Sequence, residues 1–346
     1  MIKEHEIAFR LLRSALDGQA PDLGNGPIET PVWWSLFRLL QKNHVAALTA
    51  EAVGKLPEAQ KPSRDVLMPW LSERVKIGER YHYQCKVQED IVGRMERHNI
   101  KTLVLKGTTL AKHYPTPELR EFGDLDLYFY DRHDEADEVV RREMGVSLSN
   151  DRNHHTKYDY RGVTVESHYH LLNGNYPPSN RSYERVLQEH MGQPTFEVLF
   201  LLRHMAVHFA ANRLTLRDLS DWAITCKAFK DTADWTCVQS TIEQYGMTQF
   251  AAALDSIAEQ RLGTKVPMTL EASPSDIKRV EQDIVYGDPN VDAHPEENIG
   301  RLGWKLKRWN SMGWKRKMVF CDSSLRLLLA SLGTHAASPR SVIHKM

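Results

Sequence analysis

The 346-residue chain carries 45 Lys and Arg against 45 Asp and Glu, with 41% hydrophobic residues, 26% charged residues and a mean hydropathy of −0.49. A net charge of zero excludes a global field drawing it to nucleic acid or to an anionic membrane, and the composition excludes a disordered chain. No run of about 18 apolar residues exists, which excludes a membrane-spanning helix. The four cysteines, Cys85, Cys226, Cys237 and Cys321, form no C-x-x-C pair and read as reduced thiols rather than a disulfide framework or zinc site. Glu4 and Glu6 interrupt the N-terminal stretch, which has no apolar h-region, so no signal peptide is expected and the expected location is cytoplasmic.

In chain order, residues 1–17 predict an amphipathic helix, with Ile7, Leu11, Leu12 and Leu16 near helical spacing. A Gly/Pro/Asp-rich connector from Asp17 to Pro31 leads to a second helical stretch, Trp33 to Val53. After a loop from Pro57 to Ser63, a long polar–apolar pattern runs to about His98. The first hundred residues thus predict an all-helical unit. Thr102 to Leu105 has the make-up of a short buried strand, Gly107 permits a tight turn, and a short helix follows over Thr108–Lys112. A second strand carries Asp124 to Phe129, and a helix over Asp131–Glu143 turns Ala136, Val139 and Val140 inward. A hairpin is expected next, with Lys157 to Tyr160, a turn at Arg161-Gly162, and Val163 to His170. Helices follow over 183–191, 195–211, 215–229, 234–244 and 247–262. Residues 263–300, rich in Pro, Asp and Glu, predict a loop. The closing stretch Arg301–Met318 has seven Lys/Arg and no acid, with Trp304, Trp309 and Trp314 among them.

The chemistry concentrates in residues 101–130, KTLVLKGTTLAKHYPTPELREFGDLDLYFY. Strand alternation sends Asp124 and Asp126 to one face and Leu125, Leu127 and Phe129 to the other. Two carboxylates roughly 7 Å apart on one strand face repel unless a cation lies between them, and a divalent metal is the usual one. On the hairpin's return strand, Thr164, Glu166, His168 and His170 share a polar face, opposite Val163 and Val165. Upstream, Gly107 lets the backbone approach a ligand, and Thr108 and Thr109 open a helix whose unpaired N–H groups favour phosphate. A metal–triphosphate site fits the whole constellation. Aspartates that cap a turn and line a solvated edge fit the Asp-x-Asp pair alone.

The order strand, Lys106-Gly107, helix, Arg120-x-x-Gly-Asp-x-Asp, strand, Glu166-x-His168 resembles the nucleotidyltransferase superfamily with the polymerase-beta-like fold. Its signature is a Gly-Ser or Gly-Thr turn, an Asp-x-Asp/Glu pair and a third carboxylate. More narrowly, the chain is similar to the bacterial uncharacterised nucleotidyltransferases in Leu105-Lys106-Gly107, Arg120, Gly123-Asp124-Leu125-Asp126, Val165-Glu166 and His168. The likeness continues through the His-x-x-x-His and Arg-x-x-x-Asp run of HMAVHFAANRLTLRDLSDWA and covers about residues 30–230. Two features depart from the superfamily pattern. Thr108 replaces the usual small serine, and Gly107 and Asp124 lie further apart than in many polymerase-like members.

The resemblance implies an α+β fold, a small mixed-sheet nucleotidyltransferase core embedded in a largely helical protein. The expected segments are a helical N-terminal region at 1–98, the core at 99–175, a helical domain at 176–275, and a loop with a basic Trp-containing helix at 276–346. The implied reaction is Mg²⁺- or Mn²⁺-dependent transfer of an NMP from an NTP, ATP among them, to a hydroxyl acceptor that is a small molecule, a protein or an RNA. Asp124, Asp126 and Glu166 would be the catalytic, metal-binding carboxylates. Lys106, Gly107, Thr108, Thr109 and Arg120 would bind the nucleotide, although Lys106 and Arg120 read equally as surface charges. His168 would order a metal or substrate, or orient Glu166. Two alternatives stay open: a non-catalytic nucleotide-sensing or partner-binding module, and a toxin- or defence-type enzyme acting on tRNA through the basic C-terminal segment. His204 and His208 have zinc-protease spacing, but Met205 stands where that motif needs glutamate. A structural or substrate-facing role is expected for them, with Arg217 and Asp221 as a buried ion pair. The Trp/basic segment would stack on single-stranded nucleic acid, lie on a membrane, or bury its tryptophans on the domain.

Overall fold

A computed structural model describes residues 4–24, 26–151, 155–174, 176–288 and 301–337. The described residues form helices and one mixed five-stranded sheet, so the fold is α+β as expected. Helices α1 (Glu4–Asp17), α2 (Thr30–Lys42) and α3 (Ala46–Gly54) precede α4 (Arg64–Arg97), 34 residues long. The single helix expected over Trp33–Val53 is two: Asn43 turns its amide back onto the Leu39 carbonyl at 2.9 Å, and His44 takes a φ of 59°, which ends α2. Next come β1 (Leu103–Val104), the single-turn α5 (Thr108–Ala111), β2 (Asp124–Tyr128), α6 (His133–Val139), β3 (Ser149–Asp151), β4 (His155–Tyr160) and β5 (Val163–His168).

Helices α7 (Asn180–Glu189), α8 (Pro194–Ala211), α9 (Leu216–Ala228), α10 (Trp235–Gln244) and α11 (Thr248–Ile257) follow the expected sequence. The loop expected at 263–300 is a correction, because it contains α12 (Pro274–Tyr286). Ser273 caps this helix by accepting the Asp276 N–H at 3.1 Å, Pro274 occupies its first turn, and Val280 and Ile284 are buried. Residues 289–300 of that expected loop lie outside the described residues. The closing stretch forms α13 (Arg301–Ser311) and α14 (Gly313–Val319), and α15 (Ser324–Ala337) ends the description. Among the described residues no helix is long and apolar enough to cross a membrane. All four cysteines are free thiols.

The chain divides into two compact units, residues 1–76 with 192–321, and residues 77–191 with 322–346. In the first, Trp70 meets Trp33 and Phe37 at ring distances of 5.8 and 5.4 Å and donates its indole N–H to the Ala46 carbonyl at 2.8 Å. Buried Asn43 ties three helices together, donating to the Val285 carbonyl and accepting the Leu216 N–H. Lys315, fully buried, donates to Asp283 and to the Asn212 carbonyl. Arg316 lies 3.7 Å over the Trp309 ring, and Trp314 packs edge-on against Phe209 at 5.3 Å. Lys315 and Arg316 are thereby committed to the fold rather than offered to RNA.

In the second unit the strands order β1-β2-β5-β4-β3. β2 and β5 are parallel, and the other neighbours are antiparallel. One sheet face supplies Leu125, Leu127, Val163, Val165, Tyr158 and Tyr160 to a core completed by Val87, Ile91 and Met95 of α4 and by Ala136 and Val139 of α6. The spacing of Val87, Ile91 and Met95 is one helical stripe, which is why this part of α4 lies on the sheet.

Asp255 in α11 generates a test of the first unit's core. Burial, with added repulsion from Glu259, pushes its carboxyl from 3.8 up to about 7, against the lowering effect of the Trp222 indole N–H that it accepts. A raised folded pKa means the folded chain binds this proton more tightly, so the contribution is full below the unfolded pKa and is lost as pH rises through about 7. Above that pH the ionised group costs up to about 4 kcal/mol. Asp255→Asn keeps the indole bond and removes the charge. Its thermal midpoint should exceed that of wild type by several degrees more at pH 8 than at pH 5; an equal difference at both pH values would contradict this account.

Candidate active site

The site is assembled by strand register. Parallel pairing sets Asp124 beside Thr164, Asp126 beside Glu166 and Tyr128 beside His168. Because Leu125, Leu127 and Val165 go into the core, alternation leaves Asp124, Asp126, Glu166 and His168 on the opposite face. The hairpin turn has φ values of 54° at Arg161 and 74° at Gly162, as a two-residue turn of matching twist requires. That turn fixes β4 so that Lys157 faces Glu166 and His155 faces His168. Tyr160 and Tyr83 pin the hairpin to α4, through the Asp90 carboxylate at 2.7 Å and the Arg161 carbonyl at 2.8 Å.

Asp126 is the centre of the arrangement and is only 3% exposed. Its Oδ1 pairs with His168 Nε2 at 3.0 Å. Its Oδ2 has Lys106 Nζ at 3.1 Å, off the direction of an aligned hydrogen bond. Burial works to raise this carboxyl's pKa, but the Lys106 ammonium and His168 outweigh it and hold the group well below the usual carboxylate range. Lys106 answers in kind: burial disfavours its charge, while Asp126, Asp124 and Glu166 push its pKa up. Asp124 is pushed up by burial and by repulsion from Asp126, which Lys106 offsets in part. Glu166 has Lys157 Nζ at 3.2 Å and His155 Nε2 at 3.6 Å.

Asp126, Glu166 and His168 offer ligand atoms within 4.8 Å of one another, and Asp124 interacts electrostatically with both carboxylates. Carboxylate oxygens suit a hard divalent cation, and buried Oδ2 of Asp126 is the atom such an ion would engage. His168 is bonded to the carboxylate itself, the arrangement of an outer partner that orients a metal ligand. The carboxylate it meets is Asp126; the sequence left it either to order a metal or substrate or to orient Glu166.

The expected phosphate cradle is built differently from its outline in sequence. Gly107 adopts φ 70° and ψ −114°, a conformation reserved for glycine, with the Phe122 ring 3.5 Å from where a Cβ would lie. The helix it opens, α5, is only four residues long. Thr108 donates its hydroxyl to Gln88 at 2.6 Å, and Thr109 donates to the Val104 carbonyl at 3.1 Å. Arg120 is buried and donates to the Gly107 carbonyl at 3.3 Å, so it braces the turn. Gln84 of α4 holds the Gly123 carbonyl just before the aspartates, at 3.2 Å. Sequence reading did not single out Gln84, Gln88, His155 or Lys157 for the site. His204 and His208, in the other unit, have ring centroids 4.3 Å apart, and Arg217 pairs with its neighbour Asp218 at 3.2 Å. Gly107→Ala should cost on the order of 1–3 kcal/mol of stability, from the strained φ. A melting curve superposable on wild type would show that the turn tolerates a side chain.

No curated protein and no solved structure matches the chain significantly. The family model described as uncharacterised nucleotidyltransferase matches residues 30–263, about two thirds of the chain and all of the sheet with its carboxylates. The chain belongs to this family of uncharacterised nucleotidyltransferases.

Proposed function

We propose that the protein transfers an NMP from an NTP to a hydroxyl acceptor, with Mg²⁺ or Mn²⁺, through Asp124, Asp126 and Glu166. The observation that carries this reading is the convergence of three carboxylates on one sheet face, two of them with ligand atoms in common reach, in a nucleotidyltransferase family member. Like charges brought together at partial or full burial are costly, and a fold retains them where a cation uses them.

In this reading Asp124, Asp126 and Glu166 hold the divalent ion. When bound, such an ion would neutralise phosphate charge and lower the pKa of the acceptor hydroxyl. Glu166, at the sheet's middle strand, takes the hydroxyl proton as the acceptor oxygen attacks the α-phosphorus. The bond from that phosphorus to the oxygen bridging to the β-phosphate breaks, and pyrophosphate leaves with the electron pair. His168 keeps Asp126 oriented, Gly107 lets the backbone approach the phosphates, and Arg120 holds the Gly107 turn in shape. Lys106, 3.1 Å from Asp126, is a cation beside the carboxylates that a triphosphate bound there could engage.

Incubation with α-labelled NTPs, Mg²⁺ or Mn²⁺ and fractionated cell extract tests the reaction. Label should move to a protein, RNA or small-molecule fraction, and which fraction takes it identifies the acceptor class. Asp126→Asn should reduce transfer by more than about 100-fold, since it alters a ligand rather than an outer partner. Absence of both NTP binding and label transfer with every NTP and either metal would refute the proposal.

A further inference from the structure

The cation already present in the site is as informative as its carboxylates. Lys106 does not reach in from a mobile surface. Its own backbone is held on both sides, because the Leu105 N–H donates to the Asp126 carbonyl at 3.0 Å and Arg120 donates to the Gly107 carbonyl at 3.3 Å. The side chain is 24% exposed and ends 3.1 Å from Oδ2 of Asp126, while Oδ1 is held by His168. Oδ2, which has no aligned hydrogen bond, is thus the oxygen of Asp126 more open to a metal, and the ammonium stands against it. An ammonium and a divalent ion cannot both sit in contact with one buried oxygen without strong mutual repulsion.

We propose that Lys106 is the resident counter-cation of the carboxylate site: its ammonium holds Asp126 in the metal-free protein, and a divalent ion binds there only by displacing it. This inference rests on the metal-binding reading above and adds its regulation. The displaced ammonium needs a new anion, and the phosphates of an NTP supply one. Metal and nucleotide therefore strengthen each other's binding, and by linkage the effect is reciprocal. Lys157 plays the looser counterpart at Glu166, being 49% exposed.

Mn²⁺ binding to the full chain without nucleotide, followed by electron paramagnetic resonance, tests this. Lys106→Met should bind Mn²⁺ about tenfold or more tightly than wild type. Its thermal midpoint should be lower than that of wild type in EDTA and should rise further on adding Mn²⁺. Lys106→Gln carries the same expectation if the methionine variant does not fold. Lys106→Arg keeps the charge and should bind no more tightly than wild type; a gain there equal to that of the neutral variants would overturn the proposal. Equal or weaker Mn²⁺ binding by the neutral variants would also overturn it, while leaving the metal site standing. If neither wild type nor any variant binds Mn²⁺, the metal site itself fails, and the inference with it.

Discussion

One buried charge governs the second unit. A carboxylate 3% exposed survives in its ionised form only if charged or hydrogen-bonding groups replace the water it has lost. Asp126 receives two, Lys106 at one oxygen and His168 at the other. They come from different parts of the chain, and each arrives by its own strand pairing. Lys106 follows β1, which is antiparallel to β2, and His168 ends β5, which is parallel to it. Because β1 and β5 lie on either side of β2, a lysine and a histidine flank one aspartate.

The same face shows acids and bases laid out by strand. β2 contributes two aspartates, β5 a glutamate and a histidine, and β4 a lysine and a histidine. Negative charge is therefore densest at β2 and is progressively offset toward β4. The opposite face is largely apolar, with Thr156 and Ser167 among its buried residues, and rests on α4 and α6. α4 serves both purposes: Val87, Ile91 and Met95 fill the core, while Gln84 and Gln88 hold the backbone before the aspartates and the first residue of α5. Packing and site geometry are thus fixed by a single helix face.

Much of this was legible in the residues themselves. Alternation alone put Asp124 and Asp126 together, and Glu166 with His168, because a period of two needs no tertiary information. The partners across β4 were legible in principle. A two-residue turn at Arg161-Gly162 sets Lys157 opposite Glu166 and His155 opposite His168 by counting back from the turn. What could not be read was the parallel pairing of β2 with β5, since no local pattern says which strands become neighbours. The direction of the Thr108 hydroxyl was hidden for a similar reason, because its acceptor, Gln88, belongs to a helix far upstream. Helix α12 was lost in the averaged composition of a long polar window, although Ser273-Pro274 followed by Asp276 is a helix start. The match to the family does not depend on these details, and its residues 30–263 contain both the legible and the hidden parts.

The parallel β2–β5 pairing also bears on how the site comes into being. The β4–β5 hairpin closes over a two-residue turn and is the local pairing of the sheet, whereas β1 meets β2 only after α5. Joining β2 to β5 closes the longer loop that contains α6 and β3, and sets Asp126 against Glu166, two like charges. That pairing brings like charges together, and Lys106 and His168 at Asp126 and Lys157 at Glu166 offset them. Residues that balance the finished site are, by the same geometry, those that let its two carboxylate-bearing strands lie side by side.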